Sequence, residues 1–248
     1  MSNKTISIII AVYNASDTIL DCLNSIENEI NSHCELIIID GNSTDNTLDL
    51  LNQKNELIDV LISEPDKGVY DAWNKGIKSS SGEWILFLGA DDVLLKNSLL
   101  SYLKFLKEGD SSNYDYVCAQ NEYLNWDDEF IKDIGKAPKW KAMKYYMAAA
   151  HVASLHNKRL FDEIGGFNVD YQICADYELL CRKKNKLKYK FIDRKIARMK
   201  TGGMSFSMRA LIEQFIIRKK HLNVVINSLT FLFQVALFIK FKLKNGII

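Results

Sequence analysis

The chain has little of what marks a secreted, zinc-stapled or nucleic-acid-binding protein. Its five cysteines, Cys22, Cys34, Cys118, Cys174 and Cys181, are odd in number and include no C-x-x-C pair. Neither a disulfide framework nor a structural zinc site is indicated; reduced, mostly buried thiols in a cytosolic compartment are expected. Formal net charge is only +1, so no global field attracts nucleic acid, and none is expected as a partner. The opening "MSNKTISIIIAVYN" is apolar but short, and it lacks a small-residue cleavage site, so it reads as a first strand and not as a signal peptide. No internal repeat or low-complexity tract breaks the 248 residues. The turn after the first strand, "AVYNAS", has no glycine, which excludes a G-x-G-x-x-G dinucleotide fingerprint, and no P-loop pattern occurs.

Against these absences stands a hydrophobic content of 48%, enough for one large core with or without an appendage. Four apolar strand-like runs, 5–13, 34–40, 59–63 and 83–89, alternate with helical patterns. In the first helix Ile19, Leu20, Leu23, Ile26 and Ile30 form one stripe, with Ser16 or Asp17 as its cap. Another helix starts near Tyr70. Strands that alternate with helices predict a parallel, doubly wound α/β sheet, whose ligand crevice lies beyond the carboxyl ends of the strands. There the sequence sets Tyr13 and Asn14, Asp40 and Gly41, Asp66 and Lys67, and then Asp91 and Asp92.

The adjacent Asp91 and Asp92 follow the apolar run 84–88 and should repel each other at the edge of a core. Either they cap the next helix or a cation belongs between them. Helix capping does not require carboxylates at three neighbouring strand ends, so a hard cation such as Mg²⁺ or Mn²⁺ bridging a phosphate ligand is the reading favoured here.

Seven segments in order, "SIIIAVYNASDTI", "LIIIDGNSTDNT", "SEPDKGVYDAWNKGI", "GEWILFLGADD", "HVASLHNKRLFDEIGGF", "ADYELLCR" and "GGMS", make residues 5–205 resemble an inverting family-2 glycosyltransferase of the GT-A fold. That class builds bacterial surface polysaccharides such as O-antigen, capsule or exopolysaccharide. The resemblance implies a Rossmann-like, mostly parallel sheet flanked by helices. It further implies a glycosyltransferase domain over 1–205, with a nucleotide-binding half (1–123) and an acceptor half (124–205). Ala11, Val12 and Tyr13 would line the nucleobase pocket, with Asn14 and Asp17 nearby. Asp40 would hydrogen-bond a uracil-like base. Asp66, Lys67 and Gly68 would border the nucleotide, and Asp71 and Asn74 would face the donor. Asp91 would hold Mn²⁺ or Mg²⁺, with Asp92 beside it on metal or sugar. His151 would face the site, or else be a satisfied structural histidine. Asp176 would be the base. Two departures are plain: Gly89 stands where the family often has the first Asp of D-x-D-D, and Ala175 where it has a Glu before the base.

Inversion at an anomeric carbon needs one carboxylate to take the acceptor proton and positive charge to offset the leaving nucleoside diphosphate. Asp176 and the Asp91/Asp92 pair supply two such sites. A sugar nucleotidyltransferase is the nearest enzyme alternative, though it would want a glycine-rich, Arg/Lys-bearing loop after the first strand. A non-catalytic, membrane-attached binding protein of the same fold is the other, with Gly89 and Ala175 as its only hints.

From Gln214 to Ile248 there is no Asp or Glu, while Arg218, Lys219, Lys220, Lys240, Lys242 and Lys244 give +6, which leaves the first 213 residues at −5. The apolar stretch 222–244 is broken by Asn223, Asn227, Ser228 and Gln234, too polar for a spanning helix. Residues 206–248 therefore read as an amphipathic helical tail lying on anionic lipid through 214–248, or as a core-packing or dimer helix. The expected partners are a nucleotide-sugar donor, a glycan or polyprenyl-linked acceptor and a membrane surface; a homodimer is compatible. The expected place is the inner face of the bacterial plasma membrane. His33 and His221 are expected at the surface.

Overall fold

The computed structural model describes residues 4–108, 111–125, 127–201, 207–221 and 224–244. Strands β1 (Ile6–Val12) and β2 (Cys34–Asp40) are buried along nearly their whole length, as a continuous Ile/Val run must be when both sheet faces are covered. Between them lies helix α1 (Ile19–Glu27), and α2 (Thr47–Gln53) leads to β3 (Val60–Ser63). Then come α3 (Val69–Ser79) and β4 (Trp84–Gly89). Period-two alternation divides the core. Ile8, Ile10, Leu36, Ile38, Leu86 and Leu88 meet Ile19, Cys22, Leu23 and Ile26 of α1 on one face. Ile9, Ile37, Ile39, Ile85 and Phe87 meet Tyr70, Trp73 and Ile77 of α3 on the other. Helix α3 sits so close that a Cβ on Gly76 would fall 2.4 Å from Ile9 Cγ2.

The second half adds β5 (Val93–Leu94), α4 (Ser98–Glu108), β6 (Tyr116–Leu124), β7 (Phe130–Ile134) and α5 (Trp140–Met143). It continues with β8 (Leu155–Asn157), α6 (Lys158–Ile164), α7 (Ala175–Lys183) and β9 (Tyr189–Lys200). Among the described residues the sheet runs β3-β2-β1-β4-β8-β6-β9-β5, with β7 on β6. The expected parallel pairing holds for β3-β2-β1-β4. Beyond β4 the sheet is mixed, because β8 enters antiparallel to both neighbours and β9 runs parallel to β6. The architecture is GT-A.

Two local expectations are corrected. Neither Ser16 nor Asp17 caps α1; Thr18 is its N-cap, and it makes no side-chain cap bond. The reason is a turn begun earlier, in which Thr18 and Ile19 both donate their N–H to Ala15 O at 3.1 and 3.0 Å. The apolar, small-residue stretch 151–157, whose composition predicts a strand, is one only over β8. Before it, Ser154 N donates to His151 O at 3.0 Å and Ala153 takes φ +58°, a turn that the apolar composition hid.

The tail folds as two helices, α8 (Met208–His221) and α9 (Val224–Lys244). Ala210 and Ile217 of α8 pack with Tyr177, Leu180 and Cys181 of α7. Arg218 is wholly buried. Its guanidinium donates to Asn227 Oδ1 (2.9 Å), Tyr145 O (2.6 Å) and Gln234 Oε1 (2.8 Å). Two of the polar residues that break the apolar stretch thus exist to satisfy this cation, as a buried charge requires. One of the six tail charges is therefore internal. His221 is not a surface residue: its side chain is 10% exposed and lies 3.8 Å from Glu178, a buried carboxylate that faces α8. Leu229, Leu232, Phe233, Leu237 and Ile239 of α9 remain exposed. No helix among the described residues is long and apolar enough to cross a membrane. The "GGMS" segment and Asn223 lie outside the described residues.

Candidate active site

The turns after β1 and β2 are knitted together. Asn14, at φ +46°, donates its N–H to Ser43 Oγ (2.8 Å), and its side-chain oxygen accepts from Thr44 N (2.8 Å). Gly41 N donates to Val12 O (2.8 Å). Val12 is buried and Ala11 partly so, while Asp17 is exposed. Tyr13, 63% exposed, is left as an uncovered aromatic face at the strand end. Asp40 behaves differently from expectation. It is completely buried, and its carboxylate accepts from Ser43 N, Ser43 Oγ (2.5 Å) and Ser63 Oγ (2.6 Å). It therefore organises the floor of the crevice and offers no open oxygen to it.

The loop after β3 is held by its own acids. Asp66 Oδ1 accepts from Gly68 N (2.8 Å) and Asp71 accepts from Lys67 N (3.1 Å), with Gly68 at φ +113°, a conformation glycine adopts without strain. The lack of a side chain on Gly41 admits Asp66, whose Oδ2 would be 2.7 Å from a Cβ there. The Lys67 side chain is exposed. Asn74 is committed elsewhere: its amide donates to Phe167 O (2.9 Å) and accepts from Phe167 N (2.8 Å), which joins the "DAWNKG" helix to the "GGF" corner.

Beyond β4 the two aspartates part company. Asp92 is buried, and its Oδ2 accepts from Gly89 N at 2.7 Å, the tight cap of a turn. Burial, then the neighbouring Asp91 charge, pushes its carboxyl well above the usual range. Asp91 is exposed and lines an open groove of about 540 Å³, together with Asp21, Glu122, Asp128, Lys195, Arg198 and Lys200. A Cβ on Gly89 would meet Asp91 Oδ1 at 2.8 Å and Asp92 Oδ2 at 2.9 Å. Both carboxylates lean over a position where a side chain does not fit. Among the described residues no cluster of three or more His, Cys, Asp or Glu could hold a metal by itself. A single open carboxylate instead fits Mg²⁺ or Mn²⁺, which take one or two protein carboxylates and complete their shell with substrate phosphates and water.

Asp176 lies in the first turn of α7, partly buried. The Tyr70 hydroxyl donates to Ile173 O (2.6 Å) and, more weakly, to Asp176 Oδ1 (3.1 Å). Burial pushes the Asp176 carboxyl up to about 6, outweighing the hydrogen bonds from Tyr177 N and Tyr70 that lower it, and the Glu213 charge adds to the rise. His151 is buried among Trp73 (ring centroids 4.9 Å), Phe87 (5.5 Å), Phe167 (5.7 Å) and His156 (4.9 Å). Burial lowers it to about 3, so it is neutral, and no described side chain or backbone group hydrogen-bonds its ring nitrogens. His151 is thus packed in the aromatic core, but it is not the satisfied histidine expected of a purely structural role, since both ring nitrogens are unpartnered among the described residues. Sequence reasoning missed Tyr70, although it sits inside a quoted motif, and Glu213, the last acid before the acid-free tail.

A family model described as Glycosyl transferase family 2 matches residues 7–171. A PGL/p-HBAD biosynthesis glycosyltransferase of Mycobacterium bovis is 32% identical over 189 residues, covering 73% of this chain and 70% of the relative. A poly(ribitol-phosphate) beta-glucosyltransferase of Bacillus spizizenii is 40% identical over 112 residues, 43% of this chain and 18% of that protein. Among solved structures, S. aureus TarS 1–349 in complex with UDP superposes with a TM-score of 0.68 at 16% identity, over 92% of this chain and 69% of that one. A mannosyltransferase from Pyrobaculum calidifontis in complex with GDP-Man and Mn²⁺ gives 0.67 at 14% identity, over 91% and 69%.

Proposed function

The chain belongs to glycosyl transferase family 2, and from that premise we propose that it is a metal-dependent, inverting enzyme. It moves a hexosyl unit from a nucleoside-diphosphate sugar, UDP-linked, to a glycan or polyprenyl-linked glycan of a bacterial surface polysaccharide. The observation that carries this reading is the division of labour between two carboxylates. Asp91 is open to solvent and free to share a cation; Asp176 is partly buried, with a pKa near 6 suited to accepting a proton at neutral pH. The solved structures bound to UDP and UDP-GlcNAc support the donor class, and the Mn²⁺ complex supports the cation.

In the proposed reaction the acceptor hydroxyl oxygen bonds to the anomeric carbon as the bond to the nucleoside diphosphate breaks. The hydroxyl proton passes to Asp176. Asp91 would hold a divalent cation, which would supply the charge that offsets the leaving group. Tyr13 stacks on the nucleobase, Ala11, Val12 and Asn14 shape its pocket with Asp17 near, and Lys67 and Gly68 border the nucleotide. Asp40, Asp66, Asp71, Asn74, Asp92 and His151 act indirectly, by holding these loops and the core beneath them. Residues 1–123 then form the donor half and 124–205 the acceptor half.

The test is a screen of nucleotide sugars for hydrolysis with Mn²⁺ or Mg²⁺. At least one donor should release its nucleoside diphosphate in a metal-dependent way. Nucleotide binding without release would favour the binding-protein reading, and pyrophosphate release from a nucleoside triphosphate and a sugar phosphate would favour a nucleotidyltransferase.

The tail is assigned to the surface of an anionic membrane, on the cytoplasmic side. Five exposed apolar side chains on α9 and exposed Lys219, Lys220 and Lys240 support it. The structure changes how this should be tested, because deleting the tail would unpack Ile217 and Arg218. Leu232→Glu with Phe233→Glu, at positions 64% and 65% exposed, should instead abolish flotation with anionic liposomes while the protein stays folded. Unchanged flotation would return this face to a protein interface, such as a homodimer.

A further inference from the structure

The segment that delivers Asp176 is held from outside. Helix α7 starts at Ala175, and its N-cap, Cys174, makes no side-chain cap bond. The backbone donors that a helix start leaves over are normally met by a local Ser, Thr, Asp or Asn. Here the N–H groups of the turn that leads into the helix, residues 172–174, are met by a carboxylate about 40 residues away in sequence. Glu213 Oε1 accepts from Gln172 N (2.9 Å), and its Oε2 accepts from both Ile173 N and Cys174 N (2.9 Å each). From the opposite side the Tyr70 hydroxyl donates to Ile173 O. The peptide units just before Asp176 are therefore gripped between α3 and α8.

The grip extends along α7. Glu178, one turn in, is buried and ion-paired to Arg182 at 2.5 Å, with Lys220 and His221 of α8 at 3.7 and 3.8 Å. Alongside the two polar ties, Ala210 and Ile217 pack with Tyr177 and Cys181. Helix α8 is a splint along the helix that carries the candidate base, and it continues into the apolar, basic α9.

We propose that Glu213 is a positioning residue for the base: by fixing the N–H groups of residues 172–174 it sets where the Asp176 carboxylate stands. This rests on Asp176 being the base. Charge-assisted hydrogen bonds of this kind are about twice as strong as neutral ones, and a three-fold anchor two residues from a reacting group holds it far more tightly than a mobile loop would. The arrangement couples the tail to catalysis without any tail residue touching substrate.

The experiment compares Glu213→Ala, Glu213→Gln and Asp176→Asn in the full chain. It reads metal-dependent hydrolysis of the donor found by the screen, UDP affinity with Mn²⁺, and amide hydrogen exchange. Glu213→Ala should lower kcat by about ten- to a hundredfold, the scale of an ångström-level misplacement, with UDP affinity little changed. Amides 172–176 should exchange about tenfold faster or more, while those of β1 and β4 keep their protection. Glu213→Gln, which keeps one acceptor oxygen but loses the other and the charge, should fall between alanine and wild type in both readouts; this graded partial rescue carries the test if the alanine variant does not fold. Faster exchange with unchanged kcat would make Glu213 a merely structural anchor and overturn the proposal, and so would unchanged exchange. Full turnover by Asp176→Asn would sink the base reading itself, and the exchange data would still report the anchor separately.

Discussion

Asp91→Asn should erase the gain in nucleotide affinity that Mn²⁺ confers, leaving the fold and the metal-free affinity in place. In wild type, titration calorimetry should find UDP bound more tightly with Mn²⁺ than without it. A cation shared between a protein carboxylate and the diphosphate adds to nucleotide affinity only while that carboxylate holds it, and each ~1.4 kcal/mol is tenfold in affinity. The variant should therefore lose about tenfold or more, all of it in the metal-dependent part. Asp92→Asn is the control that the structure supplies. Its carboxylate is buried and spends Oδ2 on Gly89 N, a role an amide oxygen also fills. Burial, reinforced by Asp91, disfavours its charge, so replacing it with a neutral isostere should leave the Mn²⁺ gain intact. If Asp91→Asn keeps that gain, the ligand lies among the other groove acids, Asp21, Glu122 or Asp128.

The same pair shows where the sequence could be read and where it could not. Ile-rich runs that must be buried on both faces announce β1, β2 and β4 within a residue or so, because a backbone flanked by branched apolar side chains has few alternatives to a central strand. That β2, β3 and β4 lead into carboxylates was equally legible. Which carboxylates face the crevice was not. Asp40, Asp91 and Asp92 look alike in sequence, yet two fold inward onto Ser43, Ser63 and Gly89 N, and one does not. That choice is made by partners that local pattern does not specify.

Longer range hides more. Tyr70 meets Asp176 across 106 positions, and Glu213 reaches residues 172–174 from a different helix. The polar breaks in 222–244 suggested a surface helix, but Asn227 and Gln234 are consumed by buried Arg218. Charge and hydropathy counts assign every cation to solvent by default; only packing reveals one that has been taken inside. The apolar outer face of α9 survives that correction, and it is the part of the tail reading that the fold leaves standing.

Asp176→Asn is expected to have the largest effect of all. The attacked carbon cannot accept the acceptor oxygen unless that oxygen loses its proton, and the other strand-end acids have other tasks: Asp91 the proposed cation, Asp40 and Asp92 their backbone and serine donors. Asparagine preserves size and can still accept from Tyr70, but it cannot take the proton. Loss of a general base costs on the order of 10²–10⁴ in rate, so kcat should collapse by that factor with UDP affinity unchanged. In wild type the active form is the ionised carboxylate, so kcat/KM should rise with pH through about 6 and level off above it. Stability moves the other way. Because the folded carboxyl titrates above its unfolded value, near 3.9, its contribution is fully present below that value and is lost as pH rises through about 6. At pH 8 the ionised, desolvated carboxylate therefore opposes folding, by about 1–3 kcal/mol. Asp176→Asn removes that cost, and at about 2–4 °C per kcal/mol for a chain of this size its melting temperature should be equal to wild type or a few degrees higher. A dead variant that also melts early would be a folding defect and no evidence for a base. A variant that keeps more than about a tenth of wild-type turnover would fall outside the range for general-base loss, and the proton acceptor would then have to be sought in the acceptor half, between residues 124 and 150.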